Sequence, residues 1–308
     1  MKISVVAPLY DEEGSLKELH RELSEVLQGR EYEIIFVNDG SRDHSLEILR
    51  EIAADDSHAG IISFRRNRGK SAAMASGFRE AKGDILITID ADLQDDPHEI
   101  PNLIKKIEEG FDLVSGWKRK RRDPISKTIP SRLFNWVTAK LTGIPLHDFN
   151  CGLKAYKREV VENLDVYGEM HRYLPVLAKY AGFKIGEVSV HHRPRLHGRT
   201  KFGVSRFLHG FLDLLTVLFI TRYTLRPLHL FGSFGIVTLF LGIAICAYLS
   251  VIWFMGTPIG SRPLFFLGIL LILLGVQFFS IGLLGEMITR SSIKETPASE
   301  YLPPKQKL

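Results

Sequence analysis

The sequence predicts an α/β domain followed by two membrane-spanning helices. Strand-like and helix-like segments alternate over residues 1–116, whereas residues 228–254 and 263–284 contain no Asp, Glu, Lys or Arg. The 308 residues are 45% hydrophobic and 24% charged, an average that fits two unlike parts. Apolar strands alternating with helices are typical of a doubly wound, mostly parallel sheet. An apolar run of about 20 residues is long enough to cross a bilayer.

The elements of the sheet follow one another in a regular order. Short apolar runs bounded by turn residues predict five strands: ISVVAP, YEIIFVN, GIISF, DILITID and DLVSG. Helical spacing of apolar residues predicts helices between them: Leu16–Leu27, Ser41–Ala54, Lys70–Ala81 and Pro97–Glu109. In such a sheet, ligands bind beyond the carboxyl ends of the strands.

The two apolar runs near the C-terminus predict a membrane hairpin. Two buried helices of a soluble core are disfavoured, because such helices usually keep a polar stripe. Arg222 and Arg226 precede the first run, and Arg290 and Lys294 follow the second. The positive-inside rule then predicts a multi-pass protein of the cell (inner) membrane, with its N-terminal domain and C-terminal tail in the cytoplasm.

These patterns divide the chain into four predicted regions. The catalytic domain covers residues 1–201, a juxtamembrane amphipathic helix 202–226, the two spans 227–287 and the tail 288–308.

Acidic residues collect at the ends of three predicted strands. The first strand runs into PLYDEE (8–13), the second into NDGS (38–41) and the fourth into DADLQDDP (90–97). Because neighbouring parallel strands end at one edge, these side chains are expected to meet there. Closely spaced carboxylates repel each other unless a cation neutralises them, and Mg²⁺ binds one or two carboxylates together with substrate phosphates. The sequence therefore predicts a metal-assisted site for a phosphate-bearing ligand.

A simpler explanation covers part of the third segment. Asp95 or Asp96 can cap a helix that has Pro97 at its first position. A turn is also sufficient for NDGS alone. Neither explanation accounts for Asp90 and Asp92.

Together, PLYDEE, NDGS and DADLQDDP resemble the motifs of family 2 glycosyltransferases, which have the Rossmann-like GT-A fold. The resemblance covers the whole predicted cytoplasmic domain. The chain looks most like polyprenyl-phosphate hexose transferases of the dolichyl-phosphate mannose synthase and undecaprenyl-phosphate glucosyltransferase types. This implies Mg²⁺ or Mn²⁺ as cofactor, a nucleotide sugar as donor and undecaprenyl or dolichyl phosphate as acceptor.

The resemblance also assigns the donor side by position. Four residues would contact the base and ribose: Pro8, Tyr10, Glu12 and Asp39. Three would bind the diphosphate, namely Asp90, Ala91 and Asp92, and the metal ligands would be Asp90, Asp92 and Gln94. The segment RLHGRTK resembles the family's R-x-x-G-x-S/T-K loop and implies that Arg195 and Lys201 bind the donor. Lys70 either adds charge near the phosphates or is an exposed lysine in a first helical turn.

A basic segment from Trp117 to Arg132 precedes apolar residues at helical spacing. This pattern is typical of a segment that lies on an anionic membrane surface. Nucleic-acid binding is disfavoured, because the segment belongs to a chain with two membrane spans. The resemblance implies that Ser131 and Arg132 hold the acceptor phosphate, together with Arg119 or Arg122.

The segment HDFNCGLKAYK resembles the family's segment at the sugar end of the site and aligns Asp148 with its essential aspartate. Asp148 and Asp92 are thus the expected catalytic residues. A phosphate monoester has its second pKa near ~6, so the acceptor is already a nucleophile at neutral pH. We therefore expect Asp148 to orient sugar or acceptor rather than to act as a full base; an ordinary turn aspartate is the alternative. His191, His192 and His197 lack an obvious carboxylate partner in the sequence and are interpreted as loop residues.

These expectations combine into inverting, metal-dependent transfer of one hexose from a nucleotide sugar to polyprenyl phosphate at the cytoplasmic membrane face. UDP-glucose is the first expected donor, and GDP-mannose, UDP-N-acetylhexosamine and modified pentoses remain open. A processive polysaccharide synthase is disfavoured, because the sequence lacks a Q-x-x-R-W motif. A non-catalytic nucleotide-sugar-binding scaffold is disfavoured, because the sequence retains all the acidic strand ends of the family that it resembles. Membrane lipids are expected partners, a homo-oligomer is open, and no nucleic acid is expected.

Overall fold

A computed structural model of the protein contains two compact units, residues 1–217 and 218–308. The structure describes residues 1–119, 125–164, 166, 168, 170–194, 216, 219, 223, 226–256, 258–259 and 263–292. Most of the predicted juxtamembrane helix at 202–226 lies outside these residues. The domain bounds inferred from the sequence therefore stay predictions.

Among the described residues of the first unit, seven strands form one sheet, in the order β3-β2-β1-β4-β6-β5-β7. Their bounds are β1 Ile3–Leu9, β2 Tyr32–Asn38, β3 Ala59–Ser63, β4 Ile85–Thr88, β5 Leu113–Trp117, β6 Lys154–Lys157 and β7 Ile185–Ser189. β6 runs antiparallel to β4 and β5, and the other neighbouring pairs are parallel. The predicted mostly parallel sheet is confirmed.

Helices cover both faces of this sheet. Their bounds are α1 Leu16–Leu27, α2 Ser45–Asp55, α3 Lys70–Glu80, α4 Ile100–Glu108, α5 Ile125–Thr142, α6 Arg158–Glu162 and α7 Leu174–Tyr180. Leu19 of α1, Leu49 of α2 and Ile104 of α4 belong to one buried cluster, whereas Met74 of α3 and Leu174 of α7 belong to another. Two buried clusters and one sheet make a doubly wound, three-layer domain, as predicted.

Two predicted helices begin later than their sequence pattern indicates. α2 begins at Ser45 rather than Ser41, because the preceding residues bond to the loop after β1: the Arg42 N–H donates to Asp11 Oδ1 over 2.7 Å. The segment from Pro97 begins as a 3₁₀ turn and becomes α4 only at Ile100. Asp96 caps this turn by accepting the His98 N–H over 3.0 Å, so one of the two proposed caps is confirmed.

The second unit contains two long apolar helices, α8 Pro227–Phe254 and α9 Pro263–Ser292. By length and composition Pro227–Phe254 and Pro263–Thr289 could each span a membrane, and only 17% and 11% of their most apolar windows are buried. Glycines bring the helices together: a Cβ on Gly235 would lie 2.8 Å from the Gly275 carbonyl oxygen, and one on Gly242 would lie 2.8 Å from that of Gly268. These two contacts are seven residues apart along each helix, so the backbones of α8 and α9 approach each other closely along one face.

Candidate active site

The predicted meeting of the acidic strand ends is found in the structure. The Ser15 hydroxyl, at the start of α1, donates to the Ala91 carbonyl oxygen over 2.5 Å and joins the loop after β1 to the turn after β4. The Asp11 N–H donates to Ser41 Oγ over 2.9 Å and joins the same loop to the one after β2. Because β6 is antiparallel, its first residue, Lys154, also lies at this edge.

Asp39 stabilises the loop that leads into α3 by hydrogen bonds to its backbone. Its side chain is buried, and its two carboxylate oxygens accept the Arg68 N–H (2.7 Å) and the Gly69 N–H (2.9 Å). Hydrogen bonds to a carboxylate are stronger than those between neutral groups, so this contact holds the loop in place. This structural role was not predicted from the sequence, and the ribose contact of Asp39 stays a prediction.

Asp90 forms an ion pair with Lys70 at the first turn of α3. The Asp90 side chain is 32% exposed. Burial alone would raise the pKa of Asp90, but the charge and hydrogen bond of Lys70, together with the charges of Lys118 and Lys154, outweigh it and hold this pKa at about 2. Lys70 is therefore not the isolated exposed lysine of the alternative interpretation, since its ammonium already lies on the carboxylate expected to bind metal.

The turn after β4 has an unusual backbone. Leu93, buried between Asp92 and Gln94, has a φ of 58°, in the left-handed region that a branched side chain seldom adopts. The Gln94 N–H donates to Asp92 Oδ1 over 3.2 Å. Strained backbone of this kind persists where surrounding structure holds it, and it clusters at functional sites.

The donor set of this turn suits a divalent cation. Asp90 and Asp92 offer carboxylate oxygens and Gln94 an amide oxygen, which are hard ligands of the type that Mg²⁺ takes. Gly152 leaves room beside Asp90: a Cβ there would lie 2.5 Å from Asp90 Cγ and 2.6 Å from Oδ2. The lysine ammonium on Asp90 also shows that this carboxylate attracts a cation.

A second cluster of acidic residues forms ion pairs with an arginine. Ligand atoms of Glu22, Asp96 and His98 lie within 4.8 Å of one another. However, Arg193 donates to both Glu22 oxygens at 2.8 Å and to Asp96 Oδ1 at 2.7 Å. His191 Nδ1 lies 3.4 Å from Asp96 Oδ2. The interpretation of His191 as lacking a carboxylate partner is therefore wrong, and the group is better explained as an ion-pair network than as a metal centre.

Asp95 is not a helix cap but half of a buried ion pair. Its Oδ1 lies 2.7 Å from Lys118 Nζ, and the Asp95 side chain is fully buried. Burial opposes the charge of Lys118, but the neighbouring acidic groups of Asp95, Cys151 and Asp90 together outweigh it and raise the Lys118 pKa. The adjacent Cys151 thiol has a raised pKa, chiefly because it is buried, so it is a poor nucleophile. No spacing in the sequence indicated this pairing across two strand ends.

Asp148 lies buried between α5 and β7. Its Oδ1 accepts the Asn150 N–H at 3.1 Å and Asn135 Nδ2 at 3.5 Å, and its own N–H donates to Glu187 Oε1 at 3.1 Å. Lys154 is buried nearby, within electrostatic reach of both Asp148 and Asp90, and burial lowers its pKa. These contacts fix the position of Asp148, while its catalytic role stays a prediction.

The predicted acceptor residues that the structure describes lie on or near α5. Arg132 is exposed on α5, one residue after Ser131, and Leu133 and Trp136 beside it are 60% and 59% exposed. Arg119 is exposed, and its guanidinium lies 5.8 Å from the Trp117 ring centroid. An exposed face that combines cations with large apolar groups is typical of contact with a lipid surface. Three predicted ligands fall outside the described residues: Arg122, Arg195 and Lys201.

Comparison with known proteins places these features in context. Residues 4–165 match the model of glycosyl transferase family 2. The chain is 36% identical to a dodecaprenyl-phosphate galacturonate synthase of Rhizobium johnstonii, over 98% of this chain and 92% of that protein. It is 39% identical to an undecaprenyl-phosphate 4-deoxy-4-formamido-L-arabinose transferase of Shewanella sediminis, over 96% and 90%.

Among solved structures, the chain resembles a glucosyl-3-phosphoglycerate synthase from Mycobacterium tuberculosis in complex with Mn²⁺, UDP-glucose and glycerol 3-phosphate. The TM-score is 0.56 at 22% identity, and the match covers 71% of this chain and 79% of that one. At this identity the likeness supports the GT-A fold alone.

Proposed function

Because the chain belongs to glycosyl transferase family 2 and is thus a glycosyltransferase, we propose that it transfers one sugar from a nucleotide donor to polyprenyl phosphate. The observation that carries this proposal is the full-length similarity to two enzymes named for sugar transfer to dodecaprenyl or undecaprenyl phosphate. The converging acidic strand ends and the exposed basic and apolar face of α5 support it.

The donor that we propose differs from the first expectation. Neither relative is named for glucose: one is named for galacturonate and the other for 4-deoxy-4-formamido-L-arabinose. We therefore place the uridine diphosphate derivatives of these two sugars ahead of UDP-glucose. The second is a modified pentose, a class that the sequence had left open.

The donor site that we propose follows the strand ends. Four residues contact the base and ribose, namely Pro8, Tyr10, Glu12 and Asp39. Asp90, Ala91 and Asp92 face the diphosphate, and Asp90, Asp92 and Gln94 would hold Mg²⁺ or Mn²⁺. When bound, the metal would stabilise the charge that develops on the leaving diphosphate. Asp39 holds the loop before α3, and so sets the position of Lys70 beside Asp90.

The acceptor in this proposal arrives from the membrane. Arg132, with Ser131 and Arg119, would bind its phosphate, and Leu133 and Trp136 would lie in the lipid surface. The lipid phosphate attacks the anomeric carbon, and the carbon–oxygen bond to the nucleotide diphosphate breaks, which inverts that carbon. Asp148, held by Asn135 and the Asn150 N–H, orients the reacting groups. We propose that α8 and α9 span the membrane with the catalytic domain in the cytoplasm.

A transfer assay tests this function. Purified full-length protein is incubated with undecaprenyl phosphate, Mg²⁺ or Mn²⁺, and one radiolabelled donor at a time. The panel comprises UDP-galacturonate, UDP-4-deoxy-4-formamido-L-arabinose, UDP-glucose, GDP-mannose and UDP-N-acetylglucosamine. We expect label in the lipid phase with one of the first two donors. No labelled lipid from any donor would refute the proposal.

A further inference from the structure

His171 is a partly buried histidine that none of the roles above uses. It lies in a 3₁₀ turn, Met170–Arg172, which packs against the first turn of α3. Two bonds to one hydroxyl hold it there: the His171 N–H donates to Ser71 Oγ over 3.1 Å, and Nδ1 lies 2.9 Å from the same oxygen. Ser71 itself is buried.

The hydrogen-bond pattern fits the tautomer of His171 that accepts at Nδ1. Ser71 Oγ accepts the backbone N–H, so its own proton is available to donate to Nδ1. A neutral imidazole that accepts at Nδ1 carries its proton on Nε2. Burial lowers the pKa of His171 well below its ordinary value, and the nearby charges of Lys70 and Arg172 lower it further. In this tautomer the neutral side chain is an Nε2–H donor.

His171 lies beside the candidate active site. Ser71 follows Lys70 directly, and the Lys70 ammonium lies on Asp90. The charges of Asp90 and Lys154 are also close enough to act on the imidazole. Among the described residues, His171 makes hydrogen bonds through its N–H and Nδ1, and Nε2 makes none.

A neutral donor in this place has a specific use. Lys70, Lys154 and Arg172 already bring positive charge to the region. Another cation would add little to binding of a diphosphate, whereas a neutral N–H with fixed direction distinguishes the position of a single oxygen. A sugar that lacks this oxygen would leave the N–H without a hydrogen-bond partner, which lowers the binding affinity. Polar sites discriminate in this way between sugars that differ in one substituent.

We propose that the Nε2–H of His171 donates a hydrogen bond to an oxygen of the transferred sugar, with Ser71 holding the ring in position. This inference rests on the proposed function, because it requires a nucleotide-sugar donor at this edge of the sheet. His171 would then be a residue that determines donor specificity rather than one that takes part in proton transfer.

Equilibrium binding tests the proposal on the full-length protein in detergent with Mg²⁺. Dissociation constants are measured by calorimetry for UDP-galacturonate, UDP-4-deoxy-4-formamido-L-arabinose and UDP-glucose, and for UDP as the ligand without sugar. The variants are His171→Gln, whose amide nitrogen replaces Nε2, His171→Asn, whose amide replaces Nδ1, His171→Ala and Ser71→Ala. His58→Ala, remote and exposed on the turn before β3, is the control.

The expected result separates sugar from nucleotide. For the sugar nucleotide that the wild type binds most tightly, His171→Ala and His171→Asn should raise Kd about two- to twelvefold, the effect of losing one neutral hydrogen bond. His171→Gln should recover most of this affinity, and Ser71→Ala should lose part of it. The Kd for UDP should stay unchanged in every variant.

Several results would overturn the proposal. If the His171 variants bind UDP as much more weakly as they bind the sugar nucleotide, His171 contacts the nucleotide. If His171→Asn keeps the affinity for the sugar nucleotide and His171→Gln loses it, only the contact with Ser71 matters. Unchanged constants in all variants, or a wild type that binds UDP and all three sugar nucleotides equally, would exclude a sugar contact. Transfer to undecaprenyl phosphate is measured separately on the wild type, so its absence would refute the proposed function while the binding comparison still decides the role of His171.

Discussion

The ammonium of Lys70 lies on the carboxylate of Asp90, so an ion pair joins the first turn of α3 to the turn after β4. A donor diphosphate and a metal would both bring charge to this place. The pair keeps Asp90 ionised in the folded protein at neutral pH, which is the form that the proposed metal site requires.

We expect Lys70→Met to reduce stability in a pH-dependent way. Burial raises the pKa of Asp90, but Lys70, with Lys118 and Lys154, lowers it from 3.8 to about 2. The pair therefore stabilises the fold fully above the ordinary pKa and loses this contribution as the pH falls from about 4 towards 2. The loss of unfolding free energy at pH 7 should be about 1 kcal/mol, since the pair is one-third exposed. Unfolding in urea at pH 7, 5 and 3 measures it. A difference between wild type and variant that does not narrow at pH 3 would contradict the assignment.

Asp92→Asn should abolish most transfer and leave the fold intact, because it removes a charge from the proposed metal site with little change in volume. The loss should exceed the roughly 10- to 100-fold that removal of a supporting residue around a metal costs. Initial rates over a range of Mn²⁺ concentrations, with melting temperature as the folding check, measure it. EDTA should likewise stop the wild-type enzyme, and added Mg²⁺ or Mn²⁺ should restore it. Full activity after chelation would remove the metal from the mechanism.

Gly152→Ala should impair transfer, because the added methyl group would lie 2.5 Å from Asp90 Cγ and must displace that carboxylate. We expect kcat/KM to fall by at least about tenfold, with a stability cost of about 1–3 kcal/mol from overpacking. Gly60→Ala is the matched control, since its Cβ would meet only the Ile34 carbonyl oxygen, at 3.9 Å. Steady-state kinetics and thermal unfolding of both variants measure the effects. Equal activity of the two would show that the position of Asp90 tolerates displacement.

Arg132→Ala should raise the KM for polyprenyl phosphate much more than the KM for the nucleotide sugar. A charge-assisted hydrogen bond is worth about 1.5–3 kcal/mol, so roughly a 10- to 150-fold loss is expected. Arg132→Lys should recover only part, because a point charge does not reproduce the planar fork of arginine.

The control for Arg132 lies on the same helix. Lys140 is also exposed on α5, with its ammonium 5.1 Å from the Trp136 ring centroid, and Lys140→Ala should have a small effect that disappears at high salt. Kinetics for both substrates at low and high salt distinguish the two cases. If the Arg132→Ala effect also disappears at high salt, Arg132 belongs to a surface patch and does not bind the phosphate.

The strands and the acidic edge could be predicted from the sequence because they depend on local patterns. The strand YEIIFVN has the bounds of β2, and the three acidic segments meet as parallel topology requires. The ion pairs Lys70–Asp90 and Lys118–Asp95 could not be predicted from the sequence, because each joins residues from separate elements and depends on side-chain packing. Asp95 shows the difference clearly. Two residues before Pro97, it has the sequence signature of a cap, but the fold places Lys118 next to it, and Asp96 takes the capping role.

The antiparallel direction of β6 makes part of this enzyme separable from the rest. The chain leaves the sheet after Trp117 of β5 and returns at Lys154 of β6, and these strands are neighbours in which Ser115 pairs with Lys154. The excursion between them therefore starts and finishes at almost one place, a condition under which segments are exchanged with little disturbance. It carries Arg119, Arg132 and Asp148, whereas the acidic strand ends precede it. In a graft of this excursion from a relative with another lipid acceptor, Lys118 and Gly152 would have to be kept, because they lie against Asp95 and Asp90 of the donor side. Such a graft is expected to change the acceptor.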